Sequence, residues 1–356
     1  MDMIEAPDLT EGATGVLRDY RPGRFALRDT WIPLVHTARV RRRPVRRPMH
    51  GQPVFVWRHR GALQAAASPP FDIERGRRRV TPFTTPDGAY PMVERYGYAW
   101  VWYGDPASAA PELLPNVPHI PVEGMPVRMQ GNVVFDCSYE LVCENLLDLT
   151  HADYLHSALT GDPLGDDDQI TVDSTSETVT MVRTARNRPV PKLQRPFVRG
   201  AETQDVRLTT LVHVRSGVCI LHGDYQPGIS VRMLHPVNPE SATRCRTNVT
   251  YNPQHCPSLM RNMFPLASHM VGRQDNWAIR EQNGSYIRGI EQKDLNSRFD
   301  RAAVRYRRVY QDLVVRQQQD DFSYLADGDP ARDVYEEMNL HYRDPRAASS
   351  GGPAAS

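Results

Sequence analysis

Asn145, Asp148, His151 and His156 fall within one short stretch whose other residues include Leu146, Leu147, Leu149 and Leu155. The leucines favour burial. The carboxylate and the two imidazoles do not, unless they are paired or bound to something. Asp148 and His151 stand three apart and share a helical face, so the carboxylate can accept a hydrogen bond from one ring nitrogen and orient the imidazole. His151 and His156 stand five apart, about 140° around an ideal helix, and converge on one ion only where the helix distorts or ends. The segment Gln274–Gln282 offers Asp275 on a predicted helix much later in the chain. Two imidazoles and one carboxylate with open positions suit Fe(II) that handles dioxygen or chelating substrates. Two satisfied histidines, and an Asp275 paired with Arg273 or another arginine, would account for the same residues.

The elements that must position these groups predict an α+β protein. Thr30–Val35, Pro53–Trp57 and Tyr98–Tyr103 are aromatic or β-branched runs bounded by glycine, proline or charge, which predicts a small antiparallel module over 26–105. Residues 1–25 form an N-terminal extension and a proline-rich connector occupies 106–126. Val127–Glu140 reads as a strand and Leu141–His156 as a helix. Ile170–Tyr251 alternates polar and apolar positions in several runs at hairpin spacing, which predicts a sizeable antiparallel sheet. Pro257–Ile290 and Leu295–Gln319 read as helices, the second with an apolar face of Phe299, Ala302, Ala303, Tyr306, Val309 and Tyr310. The second unit spans 127–343, and the Gly/Ala/Ser/Pro tail 344–356 is expected to be disordered.

The 356-residue chain carries 43 basic and 42 acidic residues, a formal net charge of +1. That balance, with no recognisable module, argues against nucleic-acid binding. No apolar run reaches the ~18 residues that a bilayer requires, and the N-terminus lacks a signal-type stretch, so a soluble cytoplasmic protein without membrane association is expected. The five cysteines show no CxxC spacing, which argues against a disulfide scaffold and a thiolate zinc site. All but Lys192 and Lys293 of the basic residues are arginine. Arg39, Arg41, Arg42, Arg43, Arg46 and Arg47 crowd together, as do Arg75, Arg77, Arg78 and Arg79. They read either as a solvated surface or as a docking face for an acidic electron-transfer protein. Asp166, Asp167 and Asp168 read as a plain acidic loop. His213, His222 and His235 fall on predicted strands, as structural histidines or donors to a substrate.

Taken together, Asn145, Asp148, His151 and His156 followed by Gln274-Asp275 resemble the catalytic domain of Rieske-type non-haem iron oxygenase alpha subunits, in the vanillate demethylase and dicamba monooxygenase group. His50–Arg58, Tyr90–Trp102, His235–Ser241 and Arg307-Arg308 resemble flanking parts of the same family. The resemblance implies a small Rieske-like β module followed by a helix-grip, START-like catalytic domain with an antiparallel sheet and C-terminal helices. It implies that His151, His156 and Asp275 bind one Fe(II), that Asp148 bridges by hydrogen bond towards the redox centre of a neighbouring subunit, that Asn145 belongs to the catalytic set, and that the protein is a homotrimer.

One departure is plain. The family holds a [2Fe–2S] cluster on two cysteines and two histidines of the N-terminal domain. Here no cysteine precedes Cys137, and His59 is the only histidine between Trp57 and Tyr90. The chain is therefore expected to carry no cluster. Three functions stay open: an oxygenase of a small aromatic, heterocyclic or natural-product intermediate, fed by a ferredoxin, reductase or cluster-bearing homologue; a redox-neutral lyase, aldolase, hydratase or isomerase with iron as Lewis acid; or a non-catalytic partner that retains the fold. A dry oxygenase pocket would be lined by residues such as Leu147 and Leu155.

Overall fold

The computed structural model describes residues 22–69, 72–74, 77–79, 88–117, 128–157, 165, 168–251, 258–287 and 299–327. The expected tail 344–356, and most of the acidic loop and the N-terminal extension, lie outside them. Eight strands come first among the described residues: β1 (Thr30–His36), β2 (Val45–Met49), β3 (Gln52–His59), β4 (Ala62–Ala66), β5 (Asp72–Glu74), β6 (Arg77–Arg79), β7 (Met92–Arg95) and β8 (Tyr98–Tyr103). They form antiparallel sheets in the orders β1-β8-β7, β2-β3-β4 and β5-β6. The alternation of β8 explains the layering. Ala99 and Val101 face inward with Ile32, Leu34, Val54 and Val56. Tyr98, Trp100 and Trp102 point the other way, joining Trp31 and meeting Leu211, Ile220 and Leu234 of the second unit. The buried indoles find partners: Trp31 Nε1 donates to the Ala110 carbonyl at 2.8 Å and Trp100 Nε1 to that of Arg95 at 2.9 Å.

The second unit contains β9 (Arg128–Phe135), α1 (Tyr139–Leu147), α2 (Ala152–Leu155), β10 (Gln169–Ser174), β11 (Thr178–Pro189), β12 (Thr203–His213), β13 (Val218–Gln226), β14 (Ser230–Ser241), β15 (Arg244–Tyr251), α3 (Ser258–Ile287) and α4 (Arg301–Gln318). Its seven strands run antiparallel in the order β10-β11-β12-β13-β14-β15-β9. Leu211, Ile220 and Leu234 cover the aromatic module. Val212, Cys219 and Val237, on the opposite face, join the core shared with the helices. Of the apolar face expected of the last helix, Ala302, Tyr306, Val309 and Tyr310 are buried, Ala303 is half-buried and Phe299 precedes the helix. Arg307 on α4 grips Glu144 on α1 through Nε and Nη2 at 3.0 and 2.8 Å. The α+β class and the helix-grip arrangement are thus as expected, and no helix among the described residues is long and apolar enough to cross a membrane.

Three boundaries differ. The strand expected over Val127–Glu140 ends at Phe135, and Tyr139 and Glu140 open α1. The expected helix Leu141–His156 is two helices, because α1 stops at Leu147. Asp148 Oδ1 accepts from Thr150 N at 2.9 Å and Thr150 Oγ1 at 2.5 Å. This local turn offers the backbone an alternative to the next helical hydrogen bond. The last helix begins after Asp300 rather than at Leu295; residues 288–298 lie outside the described chain.

Candidate metal centre

The break after α1 brings the donors together. His151 occupies the N-terminal boundary of α2, where its carbonyl accepts from Leu155 N at 2.9 Å, and His156 its C-terminal boundary, where its N–H donates to the Ala152 carbonyl at 2.8 Å. Their rings meet edge to face with centroids 5.4 Å apart. Asp275, on α3, faces both: its Oδ1 lies 3.0 Å from His156 Nε2 and 3.5 Å from His151 Nε2. One donor atom from each of the three residues lies within 4.8 Å of the others. Gly272, one turn earlier on α3, allows this approach: a Cβ there would come within 2.8 Å of the Val133 methyl groups on β9.

The far side of each ring is also held. His151 Nδ1 bonds the backbone carbonyl of Asp148, and His156 Nδ1 bonds Gln274 Oε1 at 2.9 Å. Both partners are acceptors, so each Nδ1 carries the proton and each neutral Nε2 presents a lone pair to the Asp275 carboxylate. Lone pairs facing an anion require a cation between them, a proton or a metal ion. Burial opposes charge at His151, but the Asp275 hydrogen bond and charge, with Asp148 behind, outweigh it and raise that imidazole above its ordinary pKa. Burial likewise pushes Asp275 up, and the two histidines overcome it and hold the carboxyl down at about 2.

Asp148 does not orient His151 through its carboxylate as its spacing suggests. The carboxylate turns back to Thr150 and lies 3.9 Å from His151 Nδ1; the main-chain carbonyl serves instead. Neither Arg273 nor another arginine pairs with Asp275 among the described ion pairs. Arg183 on β11, which sequence reasoning missed, holds the interrupted segment from below. It ion-pairs with Asp153 of α2 at 2.6 Å and Asp168 at 2.8 Å, and its Nη1 donates to the Leu149 carbonyl at 3.1 Å. Only the buried position of Asp153 inside a histidine-rich turn hints at such a partner.

An apolar cavity of about 280 Å³ opens onto Asp148, His151, His156 and Asp275. Asn145 lines it too. Leu147 and Leu155, expected there, do not. Leu147 is fully buried in the core beneath, and Leu155 lines a separate outer groove with Leu266, Met270 and Trp277. Leu146 and Leu149 take their place because the helix has ended between them. Of the three strand histidines, His222 and His235 reach the cavity and His213 does not. Burial lowers the His235 imidazole to about 4, against the pull of Asp275.

Residues 135–316, half of the sequence, match the model of the vanillate O-demethylase oxygenase C-terminal domain. The chain belongs to that family. A vanillate O-demethylase oxygenase subunit from Pseudomonas sp. (strain HR199 / DSM 7063) is 32% identical over 114 residues, 32% of this chain and 31% of the relative. The match therefore spans less than a third of that curated relative's length. Among solved structures, dicamba monooxygenase bound to 3,6 dichlorosalicylic acid superposes with a TM-score of 0.69 at 20% identity, over 82% of this chain and 98% of that one. A form of dicamba monooxygenase with non-heme iron and dicamba gives 0.64 at 18% identity, over 82% and 98%. At such identities the likeness is one of fold, and it extends through the small β module as well as the matched domain. The kinship with Rieske-type oxygenase alpha subunits read from Asn145 to Asp275 is thereby established.

Proposed function

We propose that the chain is a mononuclear non-haem iron enzyme in which His151, His156 and Asp275 hold one Fe(II), and that it acts as an oxygenase with electrons supplied by a separate partner. The observation that carries this reading is the pair of imidazoles whose Nδ1 atoms are each fixed by an acceptor, leaving both Nε2 atoms against one buried carboxylate. This is the outer support expected of metal-bound histidines. The donor set also fits ferrous iron in type, being nitrogen and oxygen without thiolate. Bound there, the ion supplies redox chemistry at a centre with coordination positions left for dioxygen and substrate. The chain's own residues do the rest. The Asp148 carbonyl and Gln274 hold the rings, Arg183 fixes the turn that carries them, and Leu146, Leu149 and their apolar neighbours keep the adjoining cavity dry. Asp148, with a third of its side chain exposed, links this centre to the surface. In that position it suits the handover of electrons from a ferredoxin, a reductase or the cluster of a homologous subunit, within the homotrimer that the family resemblance implies.

The absence of any cysteine before Cys137 supports the external supply, since the N-terminal module then lacks thiolates for a [2Fe–2S] cluster. The same observation leaves a second reading, in which iron acts as a Lewis acid for a redox-neutral lyase, aldolase, hydratase or isomerase step. Kinship favours a small aromatic or heterocyclic substrate in either case. Anaerobically purified protein should contain up to one iron per chain and no acid-labile sulfide, and His151→Ala should lose the iron. Substrate-dependent oxygen uptake that begins only when a reductase and cluster protein are added supports oxygenation. Product formed without oxygen overturns oxygenation in favour of the second reading, and iron retained by His151→Ala overturns the site.

A further inference from the structure

The arginines crowded between Arg39 and Arg47 meet two more that lie some two hundred residues away in sequence. The turn after β2 bonds to the end of β14: His50 N donates to the Pro239 carbonyl at 2.7 Å and Gly51 N to that of Glu240 at 2.9 Å. Asn238 Nδ2 donates to the Pro48 carbonyl at 3.3 Å. This seam sets Arg47 of β2 beside the β14–β15 hairpin. There Glu240 accepts from Arg244 Nε at 3.1 Å and from Arg246 Nε at 2.6 Å. Arg246 Nη1 also donates to Asn132 Oδ1 on β9 at 2.9 Å.

Charge at this seam does not balance. Glu240 is buried, and the hairpin arginines take both of its carboxylate oxygens. Arg47 is half-buried, and its Nη1 finds only the neutral Arg46 carbonyl at 3.0 Å. Its Nε is buried with no hydrogen-bond partner among the described residues, and no described ion pair includes Arg47 or Arg39. Burial, with Arg246 and Arg39 close by, holds the Arg47 guanidinium below its usual pKa against the pull of Glu240. Four guanidinium groups thus gather around one carboxylate. Like charges at short range are costly, and a buried donor without an acceptor adds to that cost. An anion seated among them relieves both.

We propose that this seam binds a phosphate group, free or carried by a small metabolite, with Arg47 as its main donor and Arg39, Arg244 and Arg246 around it. Guanidinium forks are well matched to oxyanions. The donors come from three separate segments: the Thr37–Arg39 turn, β2 and the β14–β15 hairpin. That arrangement suits the four oxygens and two charges of a tetrahedral dianion better than a planar monoanion. Because the seam joins the small β module to the larger sheet, a bound phosphate braces the two together. None of these arginines lines the cavity at the metal centre, and the proposal is independent of the function proposed above.

Inorganic phosphate, phenyl phosphate and acetate are titrated calorimetrically into the full chain at neutral pH, with ionic strength held constant by chloride. One phosphate per chain should bind with a Kd below about 1 mM and at least about tenfold more tightly than acetate. Arg47→Met should weaken phosphate binding at least about tenfold, and so should Arg39→Met, whose exposed position leaves folding untouched. Arg280→Met removes the same charge from α3 and should leave binding unchanged. Phosphate at about 10 mM should raise the melting temperature by about 3 °C. Arg47→Met should abolish that rise, whereas a general salting effect would persist in the variant. Tighter binding of inorganic phosphate marks the free ion as occupant and tighter binding of phenyl phosphate a phosphorylated metabolite; either order supports the site. The proposal is overturned by the lack of saturable phosphate binding up to about 10 mM, by acetate binding as tightly, by equal weakening in Arg280→Met, or by a rise in melting temperature that survives Arg47→Met.

Discussion

The small β module and the interrupted segment Asp148–His156 are built on opposite principles. In the module, alternation along β8 sends Trp100 and Trp102 to one side and Ala99 and Val101 to the other, and burial of these faces accounts for the structure. In the segment, Leu149 and Leu155 are apolar too, yet charged and polar contacts decide the path. Thr150 ends the helix at Asp148, and Arg183 holds Leu149, Asp153 and Asp168 where a continuous helix would not put them. An apolar scaffold tolerates much sequence change. A backbone bent to collect three donors depends on single partners.

That contrast can be broken or sharpened by experiment. Trp100→Ala should cost about 3–5 kcal/mol in denaturant unfolding, as expected for a large buried aromatic, and the surviving folded protein should keep its iron stoichiometry. Arg183→Met should cost a comparable ~3–5 kcal/mol, since it leaves two buried carboxylates without their cation, but here iron binding should fall as well. If both variants lose iron alike, the two regions are not independent.

A pH series probes the seam between the regions. His50 sits between Tyr103 and Tyr139, with ring centroids at 4.6 and 5.9 Å. Burial lowers its imidazole to about 4. The unfolded chain therefore binds the proton first. The stabilisation is complete above the unfolded value near 6.5 and is lost as pH falls towards 4, by on the order of 3 kcal/mol. His50→Gln should flatten that part of the unfolding profile, and an unchanged slope would show that His50 is not its source. The smallest effect is expected at Gln274→Ala, which removes the acceptor behind His156. Iron affinity should drop by about 10–100-fold with little change in stability, and equilibrium competition against a chelator would measure it.

The alternation of the strands, the apolar face of the last helix and the residue types of the donor set were all legible in the chain, because each depends on local periodicity or on chemistry that a side chain carries wherever it lies. Asp148, His151, His156 and Asp275 could be picked out for that reason, and Asn145 only through the family resemblance. The role of Asp148 could not. Spacing on an ideal helix pointed to its carboxylate, whereas the backbone leaves the helix at that residue and presents its carbonyl. Leu147 and Leu155 were misplaced by the same break. Gly272 and Arg183 gave almost no signal, since the need for a missing Cβ or a buried cation arises from Val133, Asp153 and Asp168, which are remote in sequence.

The order of amino acids by itself thus determined which atoms could bind a metal and which surfaces had to be buried. Whether five residues of separation bring two imidazoles together or hold them apart was decided only in three dimensions. The hold of Arg183 on the turn that Asp148 and Thr150 begin, and the close seat of α3 on β9, are products of contacts between distant segments, and no local rule contains them.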